Sequence, residues 1–376
     1  MIRRLYAHNY RCLQNTDVDL AGRSSVLLVG SNGSGKSSLL EVLESLRSMA
    51  RGRNRANEMV RRRAVSALKA SEADETPPLI RFEIESELPG GSVARYSLGL
   101  ELPPGFREYR VADESLTAGE CDVFRRTLAD VTFTRSPGSV ATFAVDWHQV
   151  ALPVIGTPGR DHPLEAFRRE LSRLVILRPA PGTMSGEGSE GVSVPEPDCR
   201  DFGAWFRETT MLRPAVYAPF LAFLRNTMPD LVAVQNTPAG RETRTLEFVF
   251  QSPGGRTFAL PFEELSDGEK SLSVAAMVCG IAEAGDSTVF AWDEPDSHIA
   301  LGEVQHLIAG IRKRLGNSQL IATSHHPETI RAFSSENTLL VYRRSHSDPS
   351  RVRSVSELIG PERDLAEALE RGDILA

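Results

Sequence analysis

Gly30-Ser31-Asn32-Gly33-Ser34-Gly35-Lys36-Ser37 is the stretch on which the reading of this chain turns. It follows Ser25-Val26-Leu27-Leu28-Val29, a continuous apolar run that suits a strand buried on both faces. Leu39, Leu40, Leu43 and Leu46 come after it at helical spacing. Strand, glycine-rich loop and helix form the setting in which G-x-x-x-x-G-K-[ST] holds phosphate. Glycines let the backbone turn its N–H groups inward, and the helix N-terminus adds partial positive charge. Lys36 offers a point charge to the outer phosphates, and the Ser37 hydroxyl can ligate Mg²⁺. Gly30, Ser31, Asn32, Gly33, Ser34, Gly35, Lys36, Ser37 and Ser38 are therefore the candidate nucleotide cradle.

Two further stretches fit that chemistry. Val289-Phe290-Ala291-Trp292-Asp293-Glu294 is an apolar strand ending in two acids. Alone it would need no function. Beside a phosphate loop, Asp293 is placed to hold the Mg²⁺ shell and Glu294 to orient or deprotonate a water. Leu265-Ser266-Asp267-Gly268-Glu269-Lys270 opens a helix, with Ser266 and Glu269 spaced as a capping box. A Ser-x-Gly at a helix N-terminus also allows close approach of phosphate, so Ser266, Gly268 and Glu269 are candidates for a second contact. One nucleotide cannot readily touch both loops of one chain, whereas two chains facing head to tail complete two sites.

The 376 residues suggest two or three structural units, and 25% charged with 41% hydrophobic residues excludes a wholly disordered chain. The four cysteines form no CxxC pair, which speaks against a zinc ribbon or disulfide framework and suits a reducing cytoplasm. No apolar run approaches the ~20 residues needed to span a bilayer, so neither secretion nor membrane insertion is expected. A net charge of −7 argues against coating nucleic acid with the whole surface. Eight basic residues against one acid from Arg47 to Lys69 still mark a possible phosphate contact, with Arg51, Arg53, Arg55, Arg61, Arg62 and Arg63 as candidates. A solvated helix face beside a loop explains the same charges equally well.

Ile2–His8 and Thr16–Leu20 alternate as strands with one wet face. Leu79–Glu85 and Val93–Leu98 read as strands of a small antiparallel lobe, and His162–Leu177 has helical periodicity. Pro179–Cys199 has the Gly, Ser, Pro and Glu content of a flexible surface loop, and Phe202–Met228 reads as two helices broken near Pro214. Leu272–Ile281 reads as a helix, with Thr288–Trp292 and Gln319–Thr323 as buried strands. Trp147 and Trp205 are expected in the core. The expected division is 1–47 and 261–345 for the two halves of an α/β core, 48–260 for an inserted lobe facing a partner, and 346–376 for a tail.

Leu265-Ser266-Asp267-Gly268-Glu269 resembles the signature loop of ABC-type ATPases. Ile321-Ala322-Thr323-Ser324-His325-His326-Pro327 is similar to their switch segment, with His325 at the histidine that meets the γ-phosphate; His326 reads as a cap for the next helix. Pro295-Asp296-Ser297-His298 resembles the loop passing between subunits, which makes Asp296 a candidate nucleotide contact. Asn9-Tyr10-Arg11, with Arg11 as a further candidate, is similar to the opening of the RecF/SMC branch. Within that branch the chain most resembles stand-alone AAA family (AAA_21-type) ATPases, related to those of overcoming-lysogenization-defect and anti-phage defence systems. Asp267 and Glu269 depart from the commoner glycine and glutamine. No glutamine-bearing Q-loop is assigned: Gln14 lies too early, and Glu83 and Glu85 are the stand-ins.

This resemblance implies a P-loop NTPase of α/β class, an ABC-type head with a mixed sheet flanked by helices and an inserted α+β/helical lobe. It implies ATP and Mg²⁺ as cofactors, catalytic roles for Lys36, Glu294 and His325, and Ser37 and Asp293 at the metal. It further implies a homodimer closed over ATP, coupled to DNA or a separately encoded effector such as a nuclease, in defence or repair. Nuclease chemistry is not expected in the chain itself, because the 51 residues after His325 hold no D-x-D cluster. A transporter ATPase and a non-hydrolysing nucleotide-gated scaffold are the alternatives; the N-terminal pattern speaks against the first and Glu294 against the second.

Overall fold

The computed structural model describes residues 1–60, 79–157, 159–240, 242–358 and Glu367. The chain divides into two compact units. Unit 1 draws on Met1–Arg23, Leu28–Leu174 and Leu339–Leu358; unit 2 includes Ser24–Leu27 and Val175–Thr338. Of the basic candidates, Arg51, Arg53 and Arg55 are exposed in unit 1. Arg61, Arg62 and Arg63 lie outside the described residues.

Unit 1 opens with β1 (Ile2–His8) and β2 (Thr16–Asp19), whose alternation buries every second side chain of β2. The apolar run becomes β3 (Ser25–Val29), buried at all five positions, with Ser25–Leu27 counted in unit 2 and Leu28–Val29 in unit 1. After the glycine-rich loop comes α1 (Lys36–Ala50), then the single turn α2 (Ala56–Met59). Six antiparallel strands follow: β4 (Ile80–Glu87), β5 (Val93–Glu101), β6 (Arg110–Ala118), β7 (Cys121–Thr127), β8 (Asp130–Ser136) and β9 (Ser139–Ala144). The sheet order is β2-β1-β4-β5-β6-β7-β8-β9, with Leu5 opposite Ile84. The strands expected to form a separate lobe thus extend the N-terminal pair. For the same reason residues 48–260 are shared between the units, dividing at Leu174 and Val175. Helix α3 (Pro163–Ser172) is capped by His162, whose Nδ1 accepts from Leu164 N–H, and buries Leu164, Phe167 and Leu171.

A polar cluster sits in the core of unit 1. Glu114 and Arg126 lie 3.6 Å apart with no side-chain exposure. Glu114 accepts from Ala151 N–H at 2.7 Å, Leu152 N–H at 2.9 Å and the Tyr96 hydroxyl at 2.9 Å. Burial pushes its carboxyl up, and these donors oppose the shift. Arg126 donates to the carbonyls of Leu128, Asp146 and Gln149, so the pair fastens residues 146–152. The Tyr96 hydroxyl also lies 3.2 Å from Met49 Sδ at the end of α1. Trp147, expected in the core, is 42% exposed and carries the Arg110 guanidinium 5.6 Å above its ring. Its face is covered by a cation instead of by apolar packing.

The long stretch of unit 2 opens with β10 (Val175–Leu177), where the helical reading of His162–Leu177 gives way. Val175 and Ile176 are β-branched, and they pair in parallel with a later strand once α3 has ended. Helices α4 (Phe202–Leu212) and α5 (Tyr217–Leu224) are separated by a short turn at Pro214–Val216. Trp205 is wholly buried. Strands β11 (Leu231–Pro238), β12 (Arg244–Gln251) and β13 (Thr257–Pro261) make an antiparallel sheet of their own. Helix α6 (Asp267–Glu283) is buried along most of its length from Lys270 onward, as an all-round apolar helix requires. Next come β14 (Val289–Asp293), α7 (Leu301–Arg314), β15 (Gln319–Ser324) and α8 (Pro327–Arg331). Strands β10, β14 and β15 are parallel, and Leu320 N–H donates to Ser24 O at 2.9 Å.

The segment Pro179–Cys199, read as a flexible surface loop, buries Pro181, Met184, Val194 and Cys199. Those apolar anchors outweigh its polar composition. Unit 1 also holds most of the closing hairpin, β16 (Thr338–Tyr342) and β17 (Arg351–Ser354), with Val341 opposite Val352. Among the described residues no helix is long and apolar enough to cross a membrane.

Candidate functional site

In unit 1 the phosphate loop is shaped by backbone. Gly30, Gly33 and Gly35 have φ of 150°, 75° and 112°, values that L side chains rarely adopt. A Cβ on Gly30 would sit 2.0 Å from Val341 O, and one on Gly35 would sit 2.6 Å from Ser350 Oγ. Ser350 Oγ donates to Ser34 O at 2.5 Å, and its N–H to Cys12 O at 2.8 Å. Val341 of β16 and Ser350, just before β17, therefore brace the loop. Lys36 Nζ donates to Gly30 O at 2.7 Å and Ser31 O at 3.2 Å, so the ammonium folds back over its own loop. Ser31, Asn32, Gly33 and Ser37 are exposed; Ser34, Gly35 and Ser38 are buried. The inward glycine turns, the folded lysine and the exposed Ser37 at the start of a 15-residue helix fit a triphosphate. Arg343 is an addition that sequence reading missed: its Nη2 would meet a Cβ on Gly33 at 3.2 Å.

Arg11 lies beside the same helix, its Nη1 2.8 Å from Glu41 Oε2. Glu83 and Glu85 lie on β4, 2.8 Å and 3.8 Å from Arg4 Nη1, as ion pairs of the antiparallel sheet.

In unit 2 the parallel strands deliver their acids to one carboxyl edge. Asp293 Oδ1 accepts from Thr323 Oγ1 at 2.5 Å, and Asp293 Oδ2 lies 3.5 Å from Arg178 Nε. Glu294 has φ 53°, an uncommon conformation for a residue with a Cβ. Its N–H donates to Thr323 O at 3.2 Å and Thr323 Oγ1 at 3.1 Å. This turn directs Glu294 Oε1 to 3.1 Å from His325 Nδ1, with both side chains open to solvent. An exposed carboxylate and imidazole in contact can hold and transfer the proton of a water.

The neighbouring loop is tied to this edge. Asp296 is 7% exposed and accepts from the hydroxyls of Ser324 and Thr329, so its carboxylate is engaged within its own chain. His298, at φ 67°, has Nδ1 3.9 Å from Asp267 Oδ2. At the start of α6 the capping box is complete. Glu269 N–H donates to Ser266 Oγ at 3.4 Å, and Ser266 N–H donates to Glu269 Oε2 at 2.8 Å. Ser266 is exposed and Gly268 half-buried, which leaves the helix N-terminus accessible. His326 caps α8 by accepting from Glu328 N–H at 3.2 Å.

A sequence model of the RecF/RecN/SMC N terminal domain matches residues 1–347. Among solved structures, the SMC head bound to the C-winged helix domain of ScpA is 15% identical. Its alignment covers 98% of this chain and 99% of that one, with a TM-score of 0.57. The SMC head domain from Thermotoga maritima is 14% identical over 94% of this chain and 98% of that one, with a TM-score of 0.46. An Smc head with an extended coiled coil, from Pyrococcus furiosus and bound to the C-terminal domain of ScpA, is 13% identical. That comparison covers 100% of this chain and 99% of the other, with a TM-score of 0.48. No curated protein matches the chain.

Proposed function

Because this chain belongs to the RecF/RecN/SMC N-terminal domain family and has an ABC-type ATPase fold, we propose that it binds and hydrolyses ATP–Mg²⁺ between two copies of itself. The observation that carries this reading is the Glu294–His325 contact of 3.1 Å, held on a positive-φ turn immediately after Asp293. A non-glycine residue in that conformation costs free energy and persists where its neighbours hold it, here Thr323 through both contacts to the Glu294 N–H. Bound ATP–Mg²⁺ supplies the electrophilic phosphorus and neutralises charge on its oxygens. Lys36 releases Gly30 O and Ser31 O to hold the outer phosphates, and Ser37 and Asp293 are the groups suited to the metal. Glu294 would take the proton of the attacking water as its oxygen bonds to the terminal phosphorus and the bridging P–O bond to ADP breaks, and His325 would orient the carboxylate. Ser266, Gly268 and the start of α6 serve the nucleotide held by the other copy, so nucleotide state is read as dimer shape.

The cycle controls DNA or a separately encoded effector, such as a nuclease, in anti-phage defence or DNA repair. The exposed Arg51, Arg53 and Arg55 support a phosphate-binding face, and affinity for DNA through them falls steeply with salt. The SMC head of similar fold is bound to a partner protein, which supports an effector docked on the head. The test is light scattering of Glu294→Gln with saturating ATP and Mg²⁺. A mass twice that of one chain is expected, and single chains under those conditions refute the reading.

A further inference from the structure

We infer that Arg178 is an internal counter-cation for Asp293, a positioning residue that must give way before a divalent ion binds that acid. The inference rests on the reading of Asp293 as the metal-facing carboxylate. Strand β10 runs parallel to β14 with Leu177 opposite Trp292, so the next residues, Arg178 and Asp293, reach the same carboxyl edge. There Arg178 Nε lies 3.5 Å from Oδ2, while Thr323 Oγ1 donates to Oδ1 at 2.5 Å. The order β10-β14-β15 places these two partners on opposite sides of the acid. Neither side chain of the ion pair is freely solvated: 27% of Arg178 and 16% of Asp293 remain exposed. The arginine backbone is fixed as well, its N–H donating to Pro197 O at 2.6 Å.

Arg178 and Asp293 line a cavity of about 190 Å³ together with Glu294, Ser297 and His298. That space lets the guanidinium withdraw from the carboxylate without any movement of β10. A guanidinium does not lose its proton in a protein, so it can be displaced but not neutralised. A divalent cation held by Asp293 would bring two charges against the single charge of Arg178 and compete with it for the carboxylate. It does so at the expense of the ion pair. The pair therefore lowers cation affinity and keeps Asp293 in position until the cation arrives. A displaced Arg178 remains in the cavity beside Glu294.

The test measures Mn²⁺ binding to the full chain by electron paramagnetic resonance, with a non-hydrolysable ATP analogue present. Arg178→Gln and Arg178→Ala lower the half-saturating Mn²⁺ by about threefold to fivefold, the size expected for a partly buried ion pair at a pocket edge. Arg178→Lys, which keeps the charge, stays near wild type. Asp293→Asn binds Mn²⁺ more weakly, and Arg178→Gln has no further effect in that background. If both neutral variants bind Mn²⁺ no more tightly than wild type while Asp293→Asn binds it more weakly, the counter-cation role is overturned and the metal role of Asp293 stands. If Asp293→Asn binds Mn²⁺ as wild type does, the reading on which the inference rests fails instead.

Discussion

In unit 1 the phosphate loop takes its shape from peptide groups. Three glycines at positive φ, the Val341 carbonyl and the Ser350 hydroxyl leave no room for extra atoms. In unit 2 the acid edge takes its shape from side chains. Asp293 leans on Thr323, Glu294 on His325, and Asp296 on Ser324 and Thr329. A backbone-built cradle responds to substitution as a whole, because one added carbon displaces a strand. A side-chain-built edge is altered one hydrogen bond at a time. Under the proposed function, the first would suit a ligand feature common to all nucleotides, and the second the adjustment of turnover and of coupling between copies.

The sharpest way to break this contrast is Gly30→Ala. Its Cβ would fall 2.0 Å from Val341 O, so nucleotide binding is lost and stability drops by ~3 kcal/mol or more. Fluorescent-nucleotide titration and urea unfolding measure both; wild-type values in each would mean that the loop yields easily. Glu294→Gln comes next. Turnover falls by roughly 10²- to 10³-fold while ATP binding persists, as expected for loss of a general base. A comparable loss of affinity would place Glu294 in the binding cradle instead. Thr323→Val removes one donor to Asp293 and lowers turnover by about tenfold, the size of a single hydrogen bond to a charged group. The smallest effect belongs to Ser266→Ala, which costs about 1 kcal/mol through loss of the α6 cap and is read as a modest fall in melting temperature. Ser266→Arg, by contrast, retains an exposed side chain and blocks the partner's nucleotide.

The parts legible in the sequence were those with local signals. The loop at Gly30–Ser37, the apolar run before it, the leucines after it and the acids ending β14 each declare their element within a few residues. The Ser266–Glu269 spacing declared a cap that the structure contains. The features that were missed depend on distance along the chain. Ser350 reaches Ser34 across 316 positions, and no periodicity links them. Arg178 is level with Asp293 because a three-residue strand pairs there, and Val175–Leu177 is too short to separate from the helix before it. Trp147 misled because a cation covers its ring. Glu83 and Glu85 were acids in search of a role until the antiparallel sheet set Arg4 beside them.

The central claim is that each active centre is assembled from two chains, and mixing two disabled variants tests it most directly. Lys36→Ala removes the phosphate-loop charge, and Ser266→Arg blocks the helix that serves the opposite nucleotide. Each alone is inactive. A mixed pair contains one centre with an intact loop from the Ser266→Arg chain and an intact α6 start from the Lys36→Ala chain. The account predicts that ATP turnover reappears on mixing and rises with total protein concentration. Turnover that stays at background at every ratio, with both variants folded, would contradict it.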